Sequence, residues 1–259
     1  MNESGYRERN STADRALTIL EMFNDDRLLI TAVDVAETLG VARSTAYRYL
    51  QTLVKASFLE EEPGSGFRLG VRILQLSRIA RRSQGVAELS LPTMRQLAEE
   101  LHQTVLLTRL SGNSIVCLER EEWQGQYVRL SYERGSLLNI NAGASALVLL
   151  AWLPEARVRE LLAAQPLTRF TDATLVDPDA IVERLATIRS DGFSVTRGEV
   201  DPDAMGIAAP IFSGEDKVVG GLSVVVIQSR IDPGTVPSVI DTIVRAAGRL
   251  SERVTLHDA

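Results

Sequence analysis

Between Ser11 and Lys55 the chain crowds in amphipathic helix-length segments, and a glycine-rich reversal follows at once. Ala16, Ile19, Leu20 and Phe23 recur at the three- and four-residue spacing of one helix face. A second helix is expected from about Ala32 to Leu39, with Thr31 as its N-cap and Gly40 ending it. A third should cover about Ala42 to Lys55. The following FLEEEPGSGFRLG (58–70) reads as two short extended runs around Pro63-Gly64-Ser65-Gly66, a hairpin. Short helices followed by a β-hairpin within about 70 residues is the element order of a winged helix-turn-helix.

A helical wheel of the third segment tests that reading. Ala46, Leu50, Leu53 and Val54 share one face. At about 100° per residue, Ser44, Arg48, Gln51 and Lys55 fall on the opposite side, flanked by Thr45, Tyr47 and Thr52. This outer stripe carries two cations and no carboxylate. Taken alone, such a stripe is ordinary solvated helix surface. The short helix turning at Gly40 and the hairpin carrying Arg68 favour a recognition helix over that reading. A helix fits the major groove, where Arg and Gln read base edges and hydroxyls hold phosphates. Ser44, Thr45, Tyr47, Arg48 and Gln51 are therefore expected to face double-stranded DNA, with Arg48 as base reader. Arg43, Lys55 and Arg68 should mainly hold phosphate.

Charge agrees with a local patch rather than a polycation. Net charge is −6, but residues 1–83 carry twelve Lys/Arg against eleven Asp/Glu, so the acidic excess lies entirely downstream.

The later part mixes both element types. Val71–Ser83 reads as a linker helix running into Arg81-Arg82-Ser83-Gln84-Gly85. Thr104–Leu110 and Ser114–Arg120 are apolar runs joined by Ser111-Gly112-Asn113, a hairpin signal. Strands are also expected at Tyr127–Tyr132, Phe193–Glu199, Met205–Phe212 and Val218–Ile227, and helices at Ala142–Leu153, Pro178–Ser190 and Val236–Val254. One sheet covered by helices gives the class α+β. A length of 259 residues with 45% hydrophobic content suits two domains with buried cores. The expected division is 1–70, beginning with a flexible arm over 1–10, a linker over 71–85, and 86–259.

Several functions are excluded. The longest apolar run, Ala144–Leu153, is about half a membrane span, so no membrane partner is expected. The charged N-terminus reads as no secretory signal, and the single cysteine, Cys117, rules out an internal disulfide framework. Those features fit a cytoplasmic protein. His102 and His257 form no spaced metal motif, Ala144-Ser145-Ala146 is not a nucleophile elbow, and Gly64-Ser65-Gly66 is not a phosphate loop. No catalytic residue, metal or cofactor is expected. An enzyme with an appended DNA module would need an acid–base or nucleophile pair that the sequence lacks.

A small-ligand site is apolar with a few convergent polar groups. On the expected strands and adjoining loops those are Cys117, Ser131, Asn139, Asn141, Ser145, Thr196 and Ser223. Arg109, Arg129 and Arg134 are available to balance an anion.

The segment VDVAETLGVARSTAYRYLQTLVKASFLEEEPGSGFRLG (33–70) resembles the DNA-binding domain of IclR-type bacterial transcriptional regulators. The likeness rests on Arg43-Ser44-Thr45, Arg48, Leu50, Thr52-Leu53 and the wing ending Phe67-Arg68-Leu69-Gly70, and continues through DGFSV (191–195), IAAPIF (207–212) and VVGGLSV (218–224). It implies a homodimeric or homotetrameric repressor or activator whose C-terminal GAF-like domain senses a small metabolite, commonly an organic, aromatic or sugar acid. The family's pocket follows the segments matching 130–147, 194–208 and 222–226, which adds Gly206. Relatives often carry an acidic residue where this chain has Thr196, a Pro at Asn139, and Ser-Gly-Lys before the helix through Ser145-Ala146-Leu147. The competing reading is a ligand-independent architectural or dimerisation protein bound to DNA.

Overall fold

The computed structural model describes residues 11–82, 85–125, 132–215 and 217–258. They form two compact units that divide after Ala80. The arm expected over 1–10 lies outside the described residues.

In the first unit, α1 (Ser11–Glu21), α2 (Ala32–Leu39) and α3 (Arg43–Lys55) precede a hairpin of β1 (Leu59–Glu62) and β2 (Gly66–Leu69). The start and stop of α2 follow from its end residues. The Thr31 side-chain oxygen accepts from Asp34 N at 3.2 Å, and an Asp34 carboxylate oxygen accepts from Thr31 N at 2.7 Å, a reciprocal capping box. Those bonds, with Arg27 close by, hold the Asp34 carboxyl below its ordinary pKa. Gly40 stops the helix at φ 62°, in the left-handed region. Ile19, Ile30, Val35, Ala46, Leu50, Leu59 and Phe67 close one core beneath all five elements. The hairpin is pinned to the strand-like residue before α2, since Ile30 and Phe67 exchange backbone hydrogen bonds of 3.0 and 2.8 Å. After it comes α4 (Val71–Arg82).

The second unit begins with α5 (Gly85–Leu101), followed by β3 (Thr104–Ser111), β4 (Ser114–Glu121), β5 (Leu137–Leu138), α6 (Ala144–Leu150), α7 (Glu155–Ala163) and α8 (Pro178–Asp191). It ends with β6 (Ser194–Arg197), β7 (Ala204–Ser213), β8 (Lys217–Ile227) and α9 (Val236–Asp258). The strands make one sheet in the order β5-β4-β3-β8-β7-β6, antiparallel throughout. Alternation sends Val105, Leu107, Ile207, Leu222 and Val224 to one face, where α5 and α9 cover them. Leu106, Cys117 and Ala208 go to the other, under α6, α7 and α8.

The elements depart from the expected ones in places. α5 and α7 are helices additional to the expected ones, and Pro92 interrupts the helical signature of α5. The helix expected over Ala142–Leu153 is only Ala144–Leu150, because Gly143 at φ 89° holds the chain outside helical geometry. The strand expected at Tyr127–Tyr132 lies outside the described residues except for Tyr132, which is in no strand. Among the described residues, no helix is long and apolar enough to cross a membrane, and no His/Cys/Asp/Glu cluster suits a metal.

Candidate nucleic-acid interface and ligand cavity

α3 buries Ala46, Leu50 and Leu53 and leaves Arg43, Ser44, Arg48, Thr52 and Lys55 exposed. Thr45 and Gln51 are half-buried, and Tyr47 is 42% exposed. Arg43, Arg48 and Lys55 pair with no carboxylate among the described residues, so their charge faces solvent. The Thr52 hydroxyl turns back and donates to Arg48 O at 2.9 Å. From behind, Arg15 fixes the helix by donating to the Tyr49 hydroxyl at 2.7 Å.

The wing alters the picture drawn from α3 alone. Arg68 donates twice to one Glu60 oxygen, at 3.1 and 3.0 Å, across the register pair Glu60↔Arg68. Both side chains are about half exposed, so the pair is weak and exchangeable for phosphate. Glu61 accepts from Gln51 Nε2 at 2.7 Å and from the Tyr47 hydroxyl at 3.1 Å. A carboxylate therefore stands on a face whose helix contributes none.

In the second unit a cavity of about 70 Å³ opens on the α6 side of the sheet. Thr196 and Gly206 line it, together with Tyr132, Gly143, Ala144, Glu199 and Asp201. The Thr196 hydroxyl oxygen accepts from Ala144 N at 3.1 Å. Glu199, 5% exposed, accepts from Gly143 N at 3.1 Å, with Arg184 3.7 Å from its other oxygen. Burial pushes the Glu199 carboxyl pKa up, against the opposing pull of the Gly143 N–H and Arg184.

Among the described residues, the remaining candidates are not in its lining. Asn139 hydrogen-bonds the Tyr132 hydroxyl, whose pKa burial raises. Asn141 spends its amide on Thr168 O and Leu175 O, at 3.0 and 2.8 Å. Ser145 and Ser223 bond each other at 2.7 Å beneath α6. Cys117 is buried, and desolvation lifts its thiol pKa to about 11, so it is inert at neutral pH. Ser131 and Arg129 lie outside the described residues. Arg134 is tied to Glu119 at 2.7 Å and Glu121 at 3.2 Å, and Arg109 is not in the lining. Sequence reasoning missed Glu199; its signal was an acid closing the expected strand Phe193–Glu199, directly before Val200-Asp201-Pro202-Asp203. That residue brings a carboxylate into the cavity although Thr196 is not acidic.

Residues 12–63 match the family model of the IclR helix-turn-helix domain, and residues 80–252 match that of the bacterial transcriptional regulator IclR C-terminal region. The HTH-type transcriptional regulator XynR of Escherichia coli is 28% identical over 242 residues, covering 93% of this chain and 95% of that protein. BhcR of Paracoccus denitrificans, also an HTH-type transcriptional regulator, is 30% identical over 239 residues, covering 92% and 85%. A crystal structure of an IclR homolog from Microbacterium hydrocarbonoxydans, complexed with 4-hydroxybenzoate, superposes with TM-score 0.82 at 27% identity and covers 95% and 99% of the two chains. These relatives are regulators, not enzymes.

Proposed function

The chain belongs to the IclR family of bacterial transcriptional regulators, and we propose from that premise that it reads an operator with α3 and its wing under the control of a small metabolite. The observation that carries the reading is the exposed row Arg43, Arg48 and Lys55, paired with no carboxylate among the described residues, on a helix whose opposite face is buried. In this reading residues 1–70 are the winged DNA-binding domain, 71–85 the linker and 86–259 a GAF-like sensor. Arg48 reads a base, Ser44, Thr45, Tyr47 and Gln51 complete the face, and Arg43, Lys55 and Arg68 hold phosphate. Two or four copies act together in the cytoplasm, on half-sites whose centres lie roughly 34–36 Å or a multiple apart.

The sensor site is the cavity at Thr196, Gly206 and Glu199. A space with a few polar groups suits a small organic ligand. Because its lining among the described residues holds the Glu199 and Asp201 carboxyls and no Lys or Arg, an organic acid would be held there by its apolar and hydroxyl-bearing part rather than by an ion pair. The 4-hydroxybenzoate of the Microbacterium homolog supports an aromatic member of that class. At about 70 Å³ the cavity is smaller than the ~150 Å³ that accommodates benzene, so an aromatic ring must widen it. That widening supplies the differential affinity between two states without which a ligand shifts nothing.

Selection of bound duplexes from a random pool, followed by a mobility-shift titration with an organic-acid library, tests both halves. Enrichment of one sequence, released by one ligand, is the expected result. Enrichment with no ligand changing operator affinity would leave a ligand-independent DNA-binding protein.

A further inference from the structure

Strand alternation puts Leu59 and Glu61 on the same side of β1. Leu59 closes the core, and Glu61, two residues on, emerges beside α3. Its carboxylate takes one N–H of Gln51 at 2.7 Å and the Tyr47 hydroxyl at 3.1 Å. Tyr47 is braced in turn, edge-on at 6.0 Å from the buried ring of Phe67. Arg68 does not cancel this charge, because it is engaged by Glu60.

A carboxylate on a surface that approaches phosphates weakens binding to every duplex alike, so general affinity gives no reason for it. Its geometry does. A primary amide offers two N–H donors and one carbonyl oxygen. With one N–H on Glu61, Gln51 retains one donor and one acceptor, the pair that meets adenine N7 and N6 in the major groove. A free glutamine would have to give up rotamer freedom on binding, whereas this one is held beforehand.

We propose that Glu61 is a positioning residue for base readout: from the wing it orients Gln51 toward one adenine of the operator, and its charge lowers affinity for unrelated DNA. The proposal rests on the reading of α3 as the helix in the groove. Full-length wild type, E61A, E61Q, Q51A and R48A, each checked for folding by circular dichroism, are put through selection from random DNA. Each is then titrated against the selected site, the same site with single base changes, and random duplex.

Q51A and E61A should lose preference at the same adenine position, by roughly five- to tenfold, within the range of one bidentate contact. E61A should also bind random duplex a few-fold more tightly. E61Q, whose amide oxygen still accepts, should keep the preference while matching E61A on random duplex. Retained preference in E61A, loss at a different position from Q51A, or equal loss in E61Q overturns the inference. If R48A alters the selected sequence and Q51A does not, the inference falls while α3 remains the reading helix. If neither variant alters operator binding, both fall.

Discussion

Arg48 and Lys55 share the exposed stripe of α3 but should fail differently when removed. If Arg48 pairs with a guanine, R48A costs about 1–3 kcal/mol on the selected operator and relaxes preference at one position. K55A should weaken all duplexes alike and lower the slope of log K against log salt by about one. Parallel titrations on operator and random DNA over a salt series separate the two, and equal weakening of both duplexes by R48A would reduce Arg48 to a phosphate contact. The buried Glu199 has its own signature. Its folded-state pKa is raised, so ionisation costs stability, and the penalty is absent below the unfolded value, grows as pH rises, and is complete above the folded value. E199Q can still accept from Gly143 N. It should therefore gain stability over wild type near neutral pH, and the gain should vanish toward about pH 4, as read from urea melts at both ends. An unchanged difference across that range would show that Glu199 does not titrate against burial. Neither role was equally plain in the sequence. Arg48 follows from a wheel, because its neighbours along the helix determine its direction. Glu199 and Glu61 act on groups 56 and 10 residues away, and no local pattern carries such pairings.

The elements differ in the same way. α2 was legible to the residue because its start and stop are chemical, Thr31 with Asp34 at one end and a left-handed glycine at the other. α3 was legible because one face is buried and the other is not. α6 was not delimited, because every residue from Ala144 to Leu150 is buried and a uniformly apolar run has no period to read. α5 was hidden by Pro92, tolerated because tertiary packing of Met94, Leu97 and Ala98 outweighs local propensity. The wing turn hides a further constraint. Gly66 has φ +127°, and a Cβ there would stand 2.5 Å from Ile30 O, the carbonyl that accepts the Phe67 N–H. G66A must therefore push the hairpin off the strand-like residue before α2. The expected loss is about 1–3 kcal/mol of stability in the first unit, with operator affinity falling alongside. Wild-type affinity in a folded G66A protein would mean that wing placement does not matter for DNA binding.

At the scale of the whole molecule, the two units are joined covalently in the region of α4, and in the function proposed above a ligand in the second acts on DNA through how copies of the chain are arranged. If paired copies read half-sites, the spacing is a geometric constraint. Inserting about half a helical turn, ~5 base pairs, between them should abolish tight binding, and a full turn of ~10 should restore part of it. Binding indifferent to both insertions would indicate independent protomers. Ligand control adds a second constraint, because coupling is reciprocal: a molecule that weakens operator binding by some factor must itself bind the operator complex more weakly by that factor. Gly206 lets this be tested without touching the DNA face. An added Cβ there would lie 3.1 Å from both Ala144 Cβ and Thr196 Oγ1, tight enough to narrow a cavity of about 70 Å³. G206A should keep operator affinity within about a factor of two while losing ligand-dependent release, with calorimetry showing the ligand's own affinity reduced. Undiminished release in G206A would move the sensing site away from β7, and lost operator binding in a folded G206A protein would mean that the sensor shapes the DNA-bound arrangement even without ligand.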